Sequence, residues 1–148
     1  MSATNAFETS LLSHIFANAD IANVGDATGL RGSSTAGNLY ISLHTADPGE
    51  AAASGQQTSE CSYTSYARVA VVRSGSGWTI SGNNASNAAV VTFPTATGGS
   101  ETATHFGIGT ASSGAGVLLF KGSLNATLAI SNGIAPSFAI GELDINLD

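Results

Sequence analysis

HFGIGTASSGAGVLLFKGSLNATLAISNGIAPSFAIGELDINL, residues 105–147, decides the class of the fold. Short apolar runs alternate in it with turn residues and leave no length for a helix. The runs read as strands at His105 to Thr110, Val117 to Lys121, Leu124 to Ser131, Pro136 to Ile140 and Leu143 to Leu147. Between them stand Ser113-Gly114-Ala115-Gly116, Gly122-Ser123, Asn132-Gly133 and Gly141. Asn-Gly is the strongest break, because a two-residue hairpin loop needs positive φ at both positions. Runs this close together are expected to pair antiparallel, as a meander or half of a Greek key, since a parallel pair needs a crossover of about a dozen residues.

Working outward, Leu39 to Thr45 alternates strictly, so Leu39, Ile41 and Leu43 are expected to face the core and Tyr40, Ser42 and His44 the other, amphipathic side. Asp47-Pro48-Gly49 predicts a type II turn, followed by an exposed loop from Glu50 to Ser62. Further strands are expected at Tyr66 to Arg73, Trp78 to Ser81 and Ala88 to Phe93, separated by Gly75-Ser76-Gly77 and Gly82-Asn83-Asn84 and stopped by Pro94. The total, about eight to nine strands at roughly 8 to 12 residue spacing, predicts an all-β, jelly-roll-like antiparallel sandwich or barrel. One N-terminal helix precedes it, from Asn5 to Ala17, with Asn5 as N-cap and Glu8 completing a capping box. Phe7, Leu11 and Ile15, flanked by Leu12 and Phe16, form an apolar stripe that lies on the protein's own sheet or docks on a partner. Residues 20–38 are Gly-rich and read as a long loop or arm that reaches a neighbour. The expected plan is one β domain over residues 1–148: helix in 1–19, loop in 20–38, body in 39–148.

Composition narrows the function. The chain has 148 residues, one domain's worth, of which 43% are apolar, the opposite of a disordered chain. Only 9% are charged, against about 25% in an average domain. A surface poor in ions suits one covered by a neighbour, because hydroxyls and amides are less costly to bury than charges. Four basic residues against ten acidic ones, a net charge of −6, repel a phosphate backbone, so no nucleic-acid partner is expected. No apolar run approaches the roughly 20 residues of a membrane span, and Met1-Ser2-Ala3-Thr4 has no basic character, so neither a membrane partner nor a secretion signal is expected. Cys61 is the only cysteine, which excludes an intrachain disulfide and a thiolate metal cluster.

No group of residues announces chemistry. His14 is expected to face solvent, and His105 opens a strand beside Phe106. His44 with Asp47 has the types of a base and its orienter, but Asp47 precedes Pro48 and serves as a turn former. Gly107-Ile108-Gly109 begins like a dinucleotide fingerprint, then lacks the third glycine and leads into a strand, not a helix. Glu142, Asp144 and Asp148 share a strand face, where a cation could bridge them or where they blunt a solvated edge. The carboxylate pairs open to a sugar-cleaving site, Asp47 with Glu50 and Glu101 with Glu142, occupy turn or edge positions. No catalytic residue, cofactor or metal is therefore expected, and the protein is read as no enzyme. Tyr40, Tyr63, Tyr66 and Trp78 suit a contact surface or a core and rim role. Together with Phe7, Leu11 and Ile15 they are the candidate partner-interface residues.

Leu39-Tyr40-Ile41-Ser42-Leu43-His44-Thr45-Ala46-Asp47-Pro48-Gly49-Glu50 resembles a family of small virion proteins of tailed bacteriophages. The resemblance continues through Ser65-Tyr66-Ala67-Arg68-Val69-Ala70-Val71, Gly77-Trp78-Thr79-Ile80, Ala85-Ser86-Asn87-Ala88-Ala89, Val91-Thr92-Phe93-Pro94 and Thr104-His105-Phe106-Gly107-Ile108-Gly109-Thr110. The Asp20 to Asn38 stretch departs from it, being longer and richer in glycine. Members are commonly labelled phage tail fibre proteins. In size, acidity and expected jelly roll the chain is similar to the capsid cement protein of short-tailed phages such as the Bordetella phage type. That resemblance implies a virion location and a homodimer on the outer face of the major capsid protein shell, clamping neighbouring capsomers, with no catalytic residues. The alternative is a tail or tail-fibre component, normally trimeric, and a more remote one is a carbohydrate-binding β module.

Overall fold

One helix and nine strands carry these patterns in the computed structural model, which describes residues 3–25, 28–50 and 55–147. The all-β class with a single N-terminal helix is as expected. The chain divides into two units: Met1–Asn38, Val72–Val90 and Phe138–Asp148 form the first, Leu39–Val71 and Val91–Ser137 the second.

In the first unit the helix α1 spans Asn5–Ala17. Its N-cap is Thr4, not Asn5: Thr4 is extended and its hydroxyl accepts from the Phe7 amide. That puts Glu8 one position too far along to close a capping box, and its side chain is buried instead. The buried face is Glu8, Leu12 and Phe16, spaced by four, and it lies on β3 (Trp78–Ser81) and β4 (Asn84–Asn87). Phe16 meets Trp78 edge to face with ring centroids 4.6 Å apart. Such a pair adds about 0.5–1.5 kcal/mol to the area it buries. The helix ends at Asn18, in the left-handed conformation, and Arg73 closes its C-terminus. The guanidinium donates to the carbonyls of Ile15 (2.6 Å), His14 (2.7 Å) and Ala36 (3.2 Å), placing a cation where helix carbonyls are unpaired. His14 is half-buried, with Nδ1 2.7 Å from the Ala19 carbonyl oxygen, so the expectation that it faces solvent is corrected.

The loop after the helix closes on itself. Ile21 and Leu30 exchange both backbone hydrogen bonds, Asn18 and Ser33 bond side chain to backbone in both directions, and the Gly32 amide donates to Asp20. Asp26 and Ala27 lie outside the described residues. β3 and β4 join through Gly82-Asn83, with Gly82 at φ +62°, as a loop that needs positive φ at its first position requires. β9 (Asp144–Asn146) pairs antiparallel with β4 and completes a three-stranded sheet in the order β3-β4-β9. β4 reads Asn-Ala-Ser-Asn and was not expected as a strand. Asn87 is its clasp: Oδ1 accepts from the Leu143 amide while Nδ2 donates to the carbonyls of Ala89 and Ala139.

The second unit is built on a four-stranded sheet, ordered β2-β1-β6-β7, of β1 (Asn38–His44), β2 (Val69–Val72), β6 (Ser100–Gly109) and β7 (Leu118–Ser131). β5 (Val91–Thr92) and β8 (Ser137–Phe138) form a separate two-stranded ribbon. Of the runs in the deciding stretch only those forming β6 and β7 pair with each other, so no meander forms. The turn at Asn132-Gly133 explains why. Gly133 alone has positive φ, +89°, and the Ile134 amide bonds the Ser131 carbonyl, a type II turn that splays its flanking segments.

Gly122-Ser123 is not a break either. β7 runs straight through it because Gly122 faces Phe106, whose ring occupies the space of a side chain: a Cβ there would stand 2.6 Å from the ring. The irregularity lies just beyond. Ala103 pairs with Leu128 and His105 with Ser123, so Leu124–Thr127 oppose the single residue Thr104 as a special bulge, and a second shift, from Ile108 with Phe120 to Gly109 with Leu118, leaves Leu119 bulged.

Candidate functional site

β1 is expected to have one core face and one amphipathic face; Leu39, Ile41 and Leu43 are buried as expected, and Ser42 and His44 on the other face are buried too, beneath the loop that carries Gln56 and Thr58. Ser42 and His44 are each 0% exposed. The Ser42 hydroxyl stands 2.9 Å from His44 Nε2, and His44 Nδ1 stands 2.8 Å from the Thr58 carbonyl oxygen. Since a carbonyl only accepts, Nδ1 carries the proton and Nε2 accepts from Ser42. Burial, the largest influence on it, holds the His44 pKa below its ordinary 6.5, so the ring is neutral at pH 7. The pair has the spacing of a nucleophile and its base, but with no exposed atom it meets no substrate.

Around it a second cluster saturates its own hydrogen bonds. Arg68, its side chain 2% exposed, grips Glu60 with two bonds of 2.7 Å and donates to the carbonyls of Ala111 (2.8 Å) and Gly114 (2.6 Å) and to Gln56 Oε1 (3.2 Å). Gln56 in turn donates to the Tyr40 carbonyl, and the Tyr66 hydroxyl donates to Glu60 while accepting from the Leu43 amide. One guanidinium thus ties residues 55–60 and 111–114 to the sheet. Room for this network comes from Gly107-Ile108-Gly109. A Cβ on Gly107 would stand 2.7 Å from His44 Nε2, and one on Gly109 2.7 Å from the Val117 carbonyl oxygen. Those glycines are the signal that sequence reading missed: side chains from elsewhere approach the strand closely.

The remaining groups of interest are partnered separately. Asp47 turns onto the Gly49 amide and, with Glu50, onto Lys121. Hydrogen bonding to Lys121 lowers the Asp47 pKa, and the same bond raises that of Lys121. Glu101 accepts from the amides of Ser62 and Tyr63 and from the Ser62 hydroxyl, Glu142 from the Ala139 amide, and Asp144 from Asn84. Asp148 lies outside the described residues. Among the described residues no three His, Cys, Asp or Glu side chains gather as a metal site. His105 Nδ1 pairs with Thr104. Cys61 is buried, and desolvation pushes its thiol up to about 12.

Of the candidate partner-interface residues, Trp78 and Tyr63 are buried within the chain, and Leu11, Ile15, Tyr40 and Tyr66 are half-buried. The Tyr63 ring meets Tyr66 edge to face and its hydroxyl donates to the Pro94 carbonyl. Phe7 is 44% exposed, on the helix face turned away from Leu12 and Phe16. Sequence reading missed the exposed Val90, Val117, Ile134 and Ile140, which sit in or beside turns where no periodicity marks a face.

Residues 2–146 match a protein family described as podophage GP4 fiber I protein gp80. No curated protein matches the chain.

Proposed function

The chain belongs to the podophage GP4 fiber I protein gp80 family, a family of short-tailed phage virion proteins, and from that premise we propose that it serves as capsid cement. In this reading it sits on the outer surface of the major capsid protein shell, in copies paired as homodimers, and clamps neighbouring capsomers.

One observation carries the reading: the closest approach to a reactive pair, Ser42 with His44, is sealed inside, while large apolar side chains stand outside. Ser42 pairs with His44 and Arg68 with Glu60 inside the second unit, while Phe7, Val90, Val117 and Ile140 are exposed. A chain with 9% charged residues adheres through hydroxyls, amides and apolar side chains, which lose little on desolvation. A ligand that binds the expanded shell and not its precursor stabilises the expanded form by mass action, and a dimer spanning two capsomers gains effective concentration. The second reading, a tail-fibre component, is favoured by the family's own description.

Purified protein added to expanded shells that lack it tests the proposal. Saturable binding to expanded shells and none to precursor shells is the expected result. Binding to isolated tails alone supports the fibre reading and removes this one.

A further inference from the structure

β7 is the longest strand and the last of its sheet, with β6 on one side and, among the described residues, no strand on the other. A free edge of that length is a template for another strand, and proteins blunt such edges by shortness, charge, proline or a bulge. β7 has 14 residues and no proline. Its one charge, Lys121, is neutralised from within the chain by Asp47 and Glu50. Bulges at Leu119 and at Leu124–Thr127 are the remaining device, and they leave two regular arms of equal length, Phe120–Ser123 and Leu128–Ser131. Just before the first arm, Val117 is 60% exposed and the bulged Leu119 40%.

We propose that the outer edge of β7 is a strand-addition site whose occupant is β7 of a second copy, paired antiparallel about a two-fold axis. The inference rests on the virion reading for its purpose and deepens it by naming the seam through which copies join.

Charge and symmetry favour a second copy. An edge neutral along its whole length gives no advantage to an acidic or basic strand, whereas two chains of net charge −6 can meet along it with no like charges opposed. An antiparallel pair about a two-fold axis is also its own complement. An axis through the bulge, between Asn125 and Ala126, mates the first arm of each copy with the second arm of the other. Ser123 then faces Leu128, Gly122 faces Ala129 and Lys121 faces Ile130, so the two lysines never oppose. Fourteen residues a side fall below the roughly 20–30 of a standard interface, so pairing is weak in free solution and strengthens where copies are held side by side.

The test uses the full chain, in which Cys61 is buried and leaves an introduced cysteine as the reporter. Sedimentation equilibrium is expected to show a concentration-dependent dimer, and Ala126→Cys is expected to form a disulfide-linked dimer under mild oxidation at least tenfold faster than the exposed loop variant Ser112→Cys. Ser123→Lys with Ala129→Lys, both at exposed positions and one in each arm, is expected to restore the monomer with an unchanged melting curve. If that double variant fails to fold, the two cysteine rates decide. A wild-type monomer at every concentration, equal cysteine rates, or a dimer indifferent to the charged edge overturns the proposal. Loss of the dimer with normal shell binding removes the seam alone; a β7 dimer that binds no phage structure removes the virion reading alone.

Discussion

Replacing Arg68 with Met keeps the unbranched stem of the side chain and deletes its charge and all its donors. The guanidinium makes two bonds to Glu60 and one each to Gln56 Oε1 and the Ala111 and Gly114 carbonyls. All five acceptors lose a partner, and Glu60, whose side chain is 15% exposed, keeps a charge with little water to solvate it. Breaking a buried ion pair from one side costs about 3–5 kcal/mol, against about 0–1 kcal/mol for a surface pair. For a chain of this size each kcal/mol moves the melting temperature by roughly 2–4 °C, so Arg68→Met is expected to melt about 6–20 °C lower. Circular dichroism melts and urea titrations measure the loss. Glu60→Gln and the double variant complete a cycle that isolates the coupling between the two residues. The segment at 111–114 is expected to become the first site of limited proteolysis. A loss below about 1 kcal/mol refutes the reasoning, because it would mean that the pair is solvated and the network is not what ties these loops to the sheet.

His44 gives a pH dependence of known sign. Its folded pKa lies below the unfolded 6.5, so stability is complete above about pH 6.5 and is lost as pH falls toward the folded value; His44→Asn should flatten the urea midpoint between pH 7 and 5, and an unchanged slope contradicts this. Gly109→Ala drives a methyl group against Gln56 and the Val117 carbonyl, and a loss of about 1–3 kcal/mol is expected in urea unfolding, where a neutral result would show that the strand can shift. Cys61, buried and with its thiol raised to about 12, should resist alkylation in the native protein and react fully in denaturant, as mass spectrometry would read. Thr4→Ala removes the helix cap and should cost about 1 kcal/mol in the same titrations, whereas Asn5→Ala should cost little; the reverse order would return the cap to Asn5.

The class of the fold was legible because it depends on local pattern. Leu39, Ile41 and Leu43 alternate, glycines punctuate, and one amphipathic segment stands apart from them. Partner choice was not legible, because it depends on residues far away in the chain. Nothing near Asn132-Gly133 says that its turn is type II and leads away to β8, which pairs with β5, and nothing near Gly122 says that the Phe106 ring fills its place. The helix was located to the residue, yet its buried face is Glu8, Leu12 and Phe16, a step round from Phe7, Leu11 and Ile15, since the sheet beneath sets the rotation. The polar cluster was readable only in part. Gln56 and Glu60 stand in a segment whose composition says loop, and their burial follows from Arg68, a lone cation in an apolar run whose side chain has no local partner. Gly107-Ile108-Gly109 gave a true signal of close approach, to which sequence reading assigned no cause.

If this phage virion protein works by adhering to the shell, as proposed, it is found there in the assembled particle. Cryo-electron microscopy of intact particles, at a resolution that traces β7 and the helix, tests it most directly. Density for this chain is expected on the outer capsid surface, repeated at every equivalent junction between capsomers. Density confined to the tail, in the few copies its symmetry admits, would contradict it.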